Sequence, residues 1–134
     1  MKAPREYDRY KQDLFAKLDF GFQEGKSLLD VGCGDCTDLE IFIEKYRLNA
    51  CGIDVFKHDR VSDLQVDFTL GSALDLPYHD GTFDYVFSHD MLHHVEEEHP
   101  SRDKHVRCLR EMRRVTAGGG HTIIVEANRW NHDV

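Results

Sequence analysis

The sequence predicts an open α/β sheet of mainly parallel strands with helices on both faces. Five short apolar runs recur along the 134 residues, and amphipathic helical patterns lie between several of them, as buried parallel strands and their crossovers require. A glycine-bearing turn follows the first run directly. Sheets of this kind bind ligands outside the carboxyl ends of their strands, where the strand order reverses, and the turn lies at such an end.

Residues 7–18 form the first predicted helix, with Tyr10, Leu14, Phe15 and Leu18 on its apolar face. The strands are SLLDV at 27–31, ACGIDV at 50–55, VDFTL at 66–70, FDYVFS at 83–88 and HTIIVE at 121–126. Residues 37–46 read as a helix with Leu39, Ile43 and Phe42 or Tyr46 on one side. Within residues 101–115, His105, Cys108, Leu109, Met112 and Val115 share one helical face. Arg107, Arg110 and Arg114 share the opposite face, which reads as a solvated stripe. The glycines at 118–120 are expected to stop that helix. In LPYHDGTFD, Asp80 and Gly81 make a turn, and Tyr78 and His79 are given no chemistry.

Composition bounds the rest. One domain is expected, a core at 27–128 preceded by a helical segment at 1–26, and a chain of this length buries about two-thirds of the surface it exposes when unfolded. With 40% hydrophobic and 31% charged residues and three prolines, the chain is globular rather than disordered. No apolar run is long enough to span a bilayer, and MKAPREYDRYK lacks the apolar core of a signal peptide. A soluble, cytoplasmic chain with its four cysteines reduced is therefore expected. The net charge of -8 argues against extended phosphate contact, so nucleic acid is not an expected partner.

LLDVGCGDCTD at 28–38 holds two signals at once. Cys33 and Cys36 have the spacing of a redox dithiol or half a zinc site, but Cys51 and Cys108 stand alone and complete no second pair. Gly32 and Gly34 instead suit a sharp turn that lets a ligand approach the backbone, with the next helix pointing free N–H groups at it. Asp54 ends the second strand, where a carboxylate can accept from both hydroxyls of a ribose. Together these indicate an adenosine-containing cofactor. The dinucleotide pattern Gly-x-Gly-x-x-Gly fails, because Thr37 stands at its last position. Asp30 in front of the loop would repel a pyrophosphate and attract an ammonium group. A working dithiol would ask for neither Gly32 nor Asp54, and Asp30 disfavours a thiolate.

LLDVGCGDC, GIDV, LGSALDLPYHDGTFDYVFS, LHHV and REMRRVTAGGGHTIIVEAN, in this order, resemble the successive motifs of class I S-adenosylmethionine-dependent methyltransferases. The likeness is to the methyltransferase type 11 group that includes the ubiquinone and menaquinone biosynthesis methyltransferases, and it spans residues 27–128. It implies a Rossmann-like fold lacking the family's last strands. It also implies S-adenosyl-L-methionine as cofactor, S-adenosyl-L-homocysteine as product and a small-molecule methyl acceptor. Residue by residue, it implies Asp30, Gly32, Cys33 and Gly34 around the methionyl part, and Asp54 on the ribose with Val55 beside the adenine. Ser72, Ala73 and Leu74 would meet the adenine ring, and Ser88 and His89 would lie near the methionyl carbonyls and the transferred methyl. Two departures stand out: Cys36 replaces the third loop glycine, and residues 56–65 are short for the second crossover helix.

Methyl transfer from a sulfonium is an in-line displacement that gains most from orientation and the exclusion of water. His89, Asp90, His93, His94 and the glutamates at 96–98 follow the fourth strand closely enough to offer a base, but none is assigned as catalytic. His93 and His94 read as helix-start packing, and no metal site is framed by His89, His93, His94 and His99. SHDM at 88–91 departs from the Asn-Pro-Pro-aromatic signature of many nucleic-acid and protein-glutamine methyltransferases.

The leading function is methylation of a small organic acceptor. The alternatives are a non-catalytic domain that binds cofactor or a partner chain, and an NAD-dependent oxidoreductase domain. The chain stops at NRWNHDV where the family's sheet continues, so Ile123, Ile124 and Val125 would present an apolar unpaired edge. Self-association through this fifth-strand edge is expected, and sedimentation at several concentrations should show it. A monomer throughout would mean that the edge is covered.

Overall fold

A computed structural model describes residues 9–18, 20–92 and 102–126. Their helices are α1 (Arg9–Lys17), α2 (Thr37–Glu44) and α3 (Arg102–Val115), and their strands are β1 (Ser27–Val31), β2 (Asn49–Asp54), β3 (Asp67–Leu70), β4 (Phe83–His89) and β5 (Thr116–Val125). The five strands form one parallel sheet in the order β3-β2-β1-β4-β5. This is the predicted open α/β architecture. A short 3-10 turn, Asp59–Asp63, replaces a second crossover helix between β2 and β3, as the brevity of that segment suggested. No described helix is long and apolar enough to cross a membrane.

β1 lies at the centre, and Leu28, Leu29, Asp30 and Val31 are all buried because the strand is paired on both edges and covered on both faces. Successive residues point to opposite sides. Leu28, Tyr85 and Phe87 therefore pack with Phe15 of α1 and Phe42 of α2, while Leu29, Val31 and Val86 pack with Cys108, Met112 and Val115 of α3. Phe42 is fully enclosed, with ring centroids 4.8 Å from Phe87, 5.3 Å from Phe15 and 5.3 Å from Phe22, all edge to face. Burying one such ring contributes about 1.5–3 kcal/mol.

The face of α3 opposite its buried stripe is not simply solvated. Arg114 donates to the carbonyls of Leu76 and Tyr78, each at 2.9 Å, and to the carboxylates of Asp80 and Glu111. Arg107 donates to the Leu74 carbonyl at 2.8 Å, and Glu111 accepts from the Leu76 N–H at 2.9 Å. These bonds tether the segment that connects β3 to β4, which has no helix of its own. The correction has a plain cause: the loop's backbone groups need partners, and the arginines are the nearest donors.

The glycines at 118–120 do not stop α3, which ends at Val115 and passes straight into β5. They lie in a bulge, since two steps along β4 from Phe83 to Tyr85 match five along β5 from Thr116 to His121. Ile123 and Val125 pack partly into the aromatic cluster, leaving Ile124 as the exposed member at 39%. The edge ladder is thus less apolar than expected, although β5 has no outer strand among the described residues. A Cβ at Gly120 would stand 2.4 Å from the Asp84 carbonyl oxygen, whereas one at Gly118 would meet nothing within 4 Å. Denaturant titration should therefore show Gly120→Ala destabilising the fold by about 1–3 kcal/mol, and Gly118→Ala by far less.

Candidate functional site

β1 has β2 on one side and β4 on the other, so the chain leaves the sheet in opposite directions there, and a crevice opens beyond their carboxyl ends. The loop after β1 is fixed by its neighbours. The N–H groups of Gly32 and Cys33 both donate to the Ile53 carbonyl, at 2.8 and 3.2 Å, and Cys36 N–H closes a turn onto the Cys33 carbonyl at 2.8 Å. Gly32 has φ 75°, and a Cβ there would stand 2.4 Å from Cγ of Met91, so only glycine lets the chain after β4 come this close.

Asp54 is held by the same loop. Its Oδ2 accepts from Gly34 N–H at 2.9 Å and its Oδ1 from Val55 N–H at 2.7 Å. A carboxylate has about four lone-pair directions, so half remain for a ligand. The cavity in front has a volume of about 730 Å³. Of the residues expected from the sequence, Gly32, Cys33, Gly34, Asp54, Val55, Ser72, Ala73, Leu74 and His89 line it.

Asp30 and Ser88 do not. They belong to the strands rather than to the loops and are buried, at 2% and 0% exposure. Asp30 Oδ2 and Ser88 Oγ have no hydrogen-bond partner. Burial, reinforced by the nearby Asp38, pushes the Asp30 acid well above the usual carboxylate range.

Three polar lining residues had no signal in the sequence that set them apart from surface helix residues: Lys11 of α1, Asp38 of α2 and Lys104 of α3. Lys11 pairs with Oδ1 of Asp38, and His89 Nδ1 lies 2.9 Å from Asp38 Oδ2. Asp90 stands beside them with φ 54°, its N–H donating to the Val125 carbonyl at 2.7 Å. His93, His94, His99 and the glutamates at 96–98 lie outside the described residues.

A family model described as "Methyltransferase domain" matches residues 29–124. The chain belongs to this family. It is 31% identical over 110 residues to ajmaline N-methyltransferase of Rauvolfia serpentina, covering 75% of this chain and 35% of that protein. It is 28% identical over 137 residues to demethylmenaquinone methyltransferase of Halalkalibacterium halodurans, covering 93% of this chain and 52% of that one. The crystal structure of the [4+2]-cyclase SpnF superposes with a TM-score of 0.68 at 28% identity, covering 90% of this chain and 48% of that one. The methyltransferase domain described here thus spans about a third to a half of the curated relatives named.

Within this domain the cysteine pair is enclosed. Cys33 and Cys36 are free thiols at 7% and 0% exposure, their sulfurs 3.5 Å apart. The hydrogen bond with Cys36, together with burial, pushes the Cys33 thiol up. A buried thiol held protonated is a poor nucleophile. Cys36 holds φ 66°, the left-handed conformation that suits a glycine, so its side chain is accommodated at a backbone cost.

The buried acid yields a pH prediction. The folded pKa of Asp30 is raised, so its ionisation favours the unfolded chain, and the destabilisation sets in as pH rises above the unfolded value of about 3.9. Asp30→Asn should raise Tm at neutral and alkaline pH and leave it nearly unchanged near pH 4. Thermal melts across that range, read against the parent, check the sign.

Proposed function

We propose that this methyltransferase domain binds S-adenosyl-L-methionine and transfers its methyl group to a small organic acceptor, leaving S-adenosyl-L-homocysteine. The observation that carries the reading is the bond from Gly34 N–H to Asp54, which joins the glycine loop to the acid ending β2 at the mouth of the cavity. Asp54 would accept from the ribose hydroxyls, with Val55 and the exposed Phe56 against the adenine. Ser72, Ala73 and Leu74 would form the other side of the adenine pocket, on the loop tethered by Arg107 and Arg114. Gly32, Cys33 and Gly34 would border the methionyl part. Asp30 would stand near the methionyl part from within β1, and Ser88 and His89 would lie toward the methionyl carbonyls and the methyl.

The residues present fit this cofactor better than a dinucleotide. Asp35, Asp38, Asp54 and Asp90 line the cavity, and such a wall suits a sulfonium and an ammonium rather than a diphosphate. The third glycine of the dinucleotide pattern, which lets helix and strand pack closely, is replaced by Thr37. A cavity of about 730 Å³ lies within the range of small-ligand pockets. When bound, the cofactor supplies an electrophilic methyl on sulfur. This chain's residues supply the position, the exclusion of water and the charge that favours the cation.

A second reading keeps the cofactor and drops the transfer, since the same fold serves the [4+2]-cyclase SpnF at 28% identity. Formation of S-adenosyl-L-homocysteine in the presence of acceptors separates the two. Calorimetry should show binding of S-adenosyl-L-homocysteine and none of NADH; saturable binding of NADH alone would sink both. Asp54→Ala should weaken S-adenosyl-L-homocysteine by about 1.5–3 kcal/mol, the worth of hydrogen bonds to a charged group. An unchanged affinity in the folded variant removes Asp54 from the site.

A further inference from the structure

The peptide between Asp35 and Cys36 is held from both ends. Its N–H donates to the Cys33 carbonyl at 2.8 Å, and its carbonyl accepts from the Arg60 guanidinium at 2.8 Å. This peptide sets the direction in which the chain enters α2, and Cys36, directly after it, has φ 66°. A residue with a Cβ keeps the left-handed conformation only where its surroundings enforce it. Cys36 stands at the N-cap of α2, yet its side chain makes no capping bond; the Asp35 carboxylate accepts from the Thr37 N–H instead, at 3.0 Å. The enforcement therefore comes from outside Cys36.

Arg60 belongs to the 3-10 turn that stands between β2 and β3. Its backbone N–H donates to His58 Nδ1 at 3.1 Å, and the next residue, Val61, is buried and packs with Cys33, Cys36 and Leu39. The turn is thus seated against the glycine loop. One arm of the guanidinium meets the Asp35 carbonyl and the other pairs with Glu40 in the first turn of α2. A planar fork can grip loop and helix together in this way, and at 26% exposure water competes for it only in part. The gripped carbonyl lies one residue past Gly34, whose N–H donates to Asp54, and Asp35 itself lines the cavity.

We propose that Arg60 is a positioning residue for the cofactor: it fixes the Asp35–Cys36 peptide, keeps Cys36 left-handed, and so presents Gly34 and Asp54 to the ligand. The proposal rests on the cofactor-binding reading above. It also explains how a cysteine is tolerated at this turn. Glycine adopts the left-handed conformation unaided, whereas a residue with a Cβ needs the peptide before it to be held, and a charged donor holds a carbonyl more firmly than a neutral one. Arg60 and Cys36 are therefore energetically coupled although neither side chain is bonded to the other, and the short segment after β2 acts on the site through its arginine.

The coupling is what the experiment reads. In calorimetry, Arg60→Ala should weaken S-adenosyl-L-homocysteine about ten-fold, the scale of one hydrogen bond to a charged group. In a Cys36→Gly background the same change at Arg60 should weaken it by less than about three-fold, because glycine holds the turn without help. In a Cys36→Ser background, which loses the thiol but keeps the Cβ, the loss should return to about ten-fold. An arginine that merely braced the surface would give equal losses in all three backgrounds, and that result, or no loss in the parent, overturns the proposal. Denaturant titration of the same proteins without ligand should repeat the pattern: Arg60→Ala should lower the midpoint in the parent and in Cys36→Ser, and much less in Cys36→Gly. Equal shifts in all backgrounds overturn the hold on Cys36. This arm keeps the two readings apart: if S-adenosyl-L-homocysteine fails to bind the parent, the cofactor reading falls, while the midpoints still decide whether Arg60 holds the turn.

Discussion

The carboxyl edge of this domain depends on β1 being paired on both sides. Asp30 stands opposite Gly52 in β2 and opposite Phe87 in β4, so the ends of three strands are brought level. The pairing cannot slip by one residue without exchanging the faces of Leu28 and Leu29, each of which is completely buried in a different cluster. Once that register is set, the loop after β1 has little freedom. Its N–H groups meet the Ile53 carbonyl, Met91 descends onto Gly32, and Gly34 reaches Asp54. The site is positioned by the sheet beneath it rather than by the loop itself.

The price of that arrangement is paid in several local conflicts at the same edge. An acid sits buried with an unpartnered oxygen at Asp30, and left-handed backbone occurs at Cys36 and Asp90, neither of them glycine. Such features cost of order 1–3 kcal/mol each and persist only where the surroundings over-determine them. The surroundings here are the aromatic cluster on one face of the sheet and the packing of α3 on the other. Lys11, reaching over from α1, offsets part of the crowded negative charge around Asp38.

Much of this was legible in the sequence because the signals were local. All five strands could be placed from their apolar runs, and the glycine loop and Asp54 from their spacing along two of those strands. The limits of local reading are equally specific. Asp38 looks like an ordinary first-turn acid of α2, and Lys11 like a surface lysine of α1; only the fold brings them to His89, 51 and 78 positions away. The glycines at 118–120 resemble a helix stop, but the strand partner that turns them into a bulge is Asp84, far back in the chain. Arg114 looked solvent-facing because helical periodicity reports which side is apolar and says nothing of which loop crosses the polar side.

The tether from Arg114 reads backbone carbonyls at Leu76 and Tyr78 and depends on side chains only at Asp80 and Glu111. It grips the shape of the crossing segment and is largely indifferent to its lettering. Residues at 72–74, just upstream and facing the cavity, could therefore be exchanged without releasing the loop. Ligand preference on this wall is separable from the anchoring of the wall, which makes the segment a natural place to retune a pocket while leaving its scaffold intact.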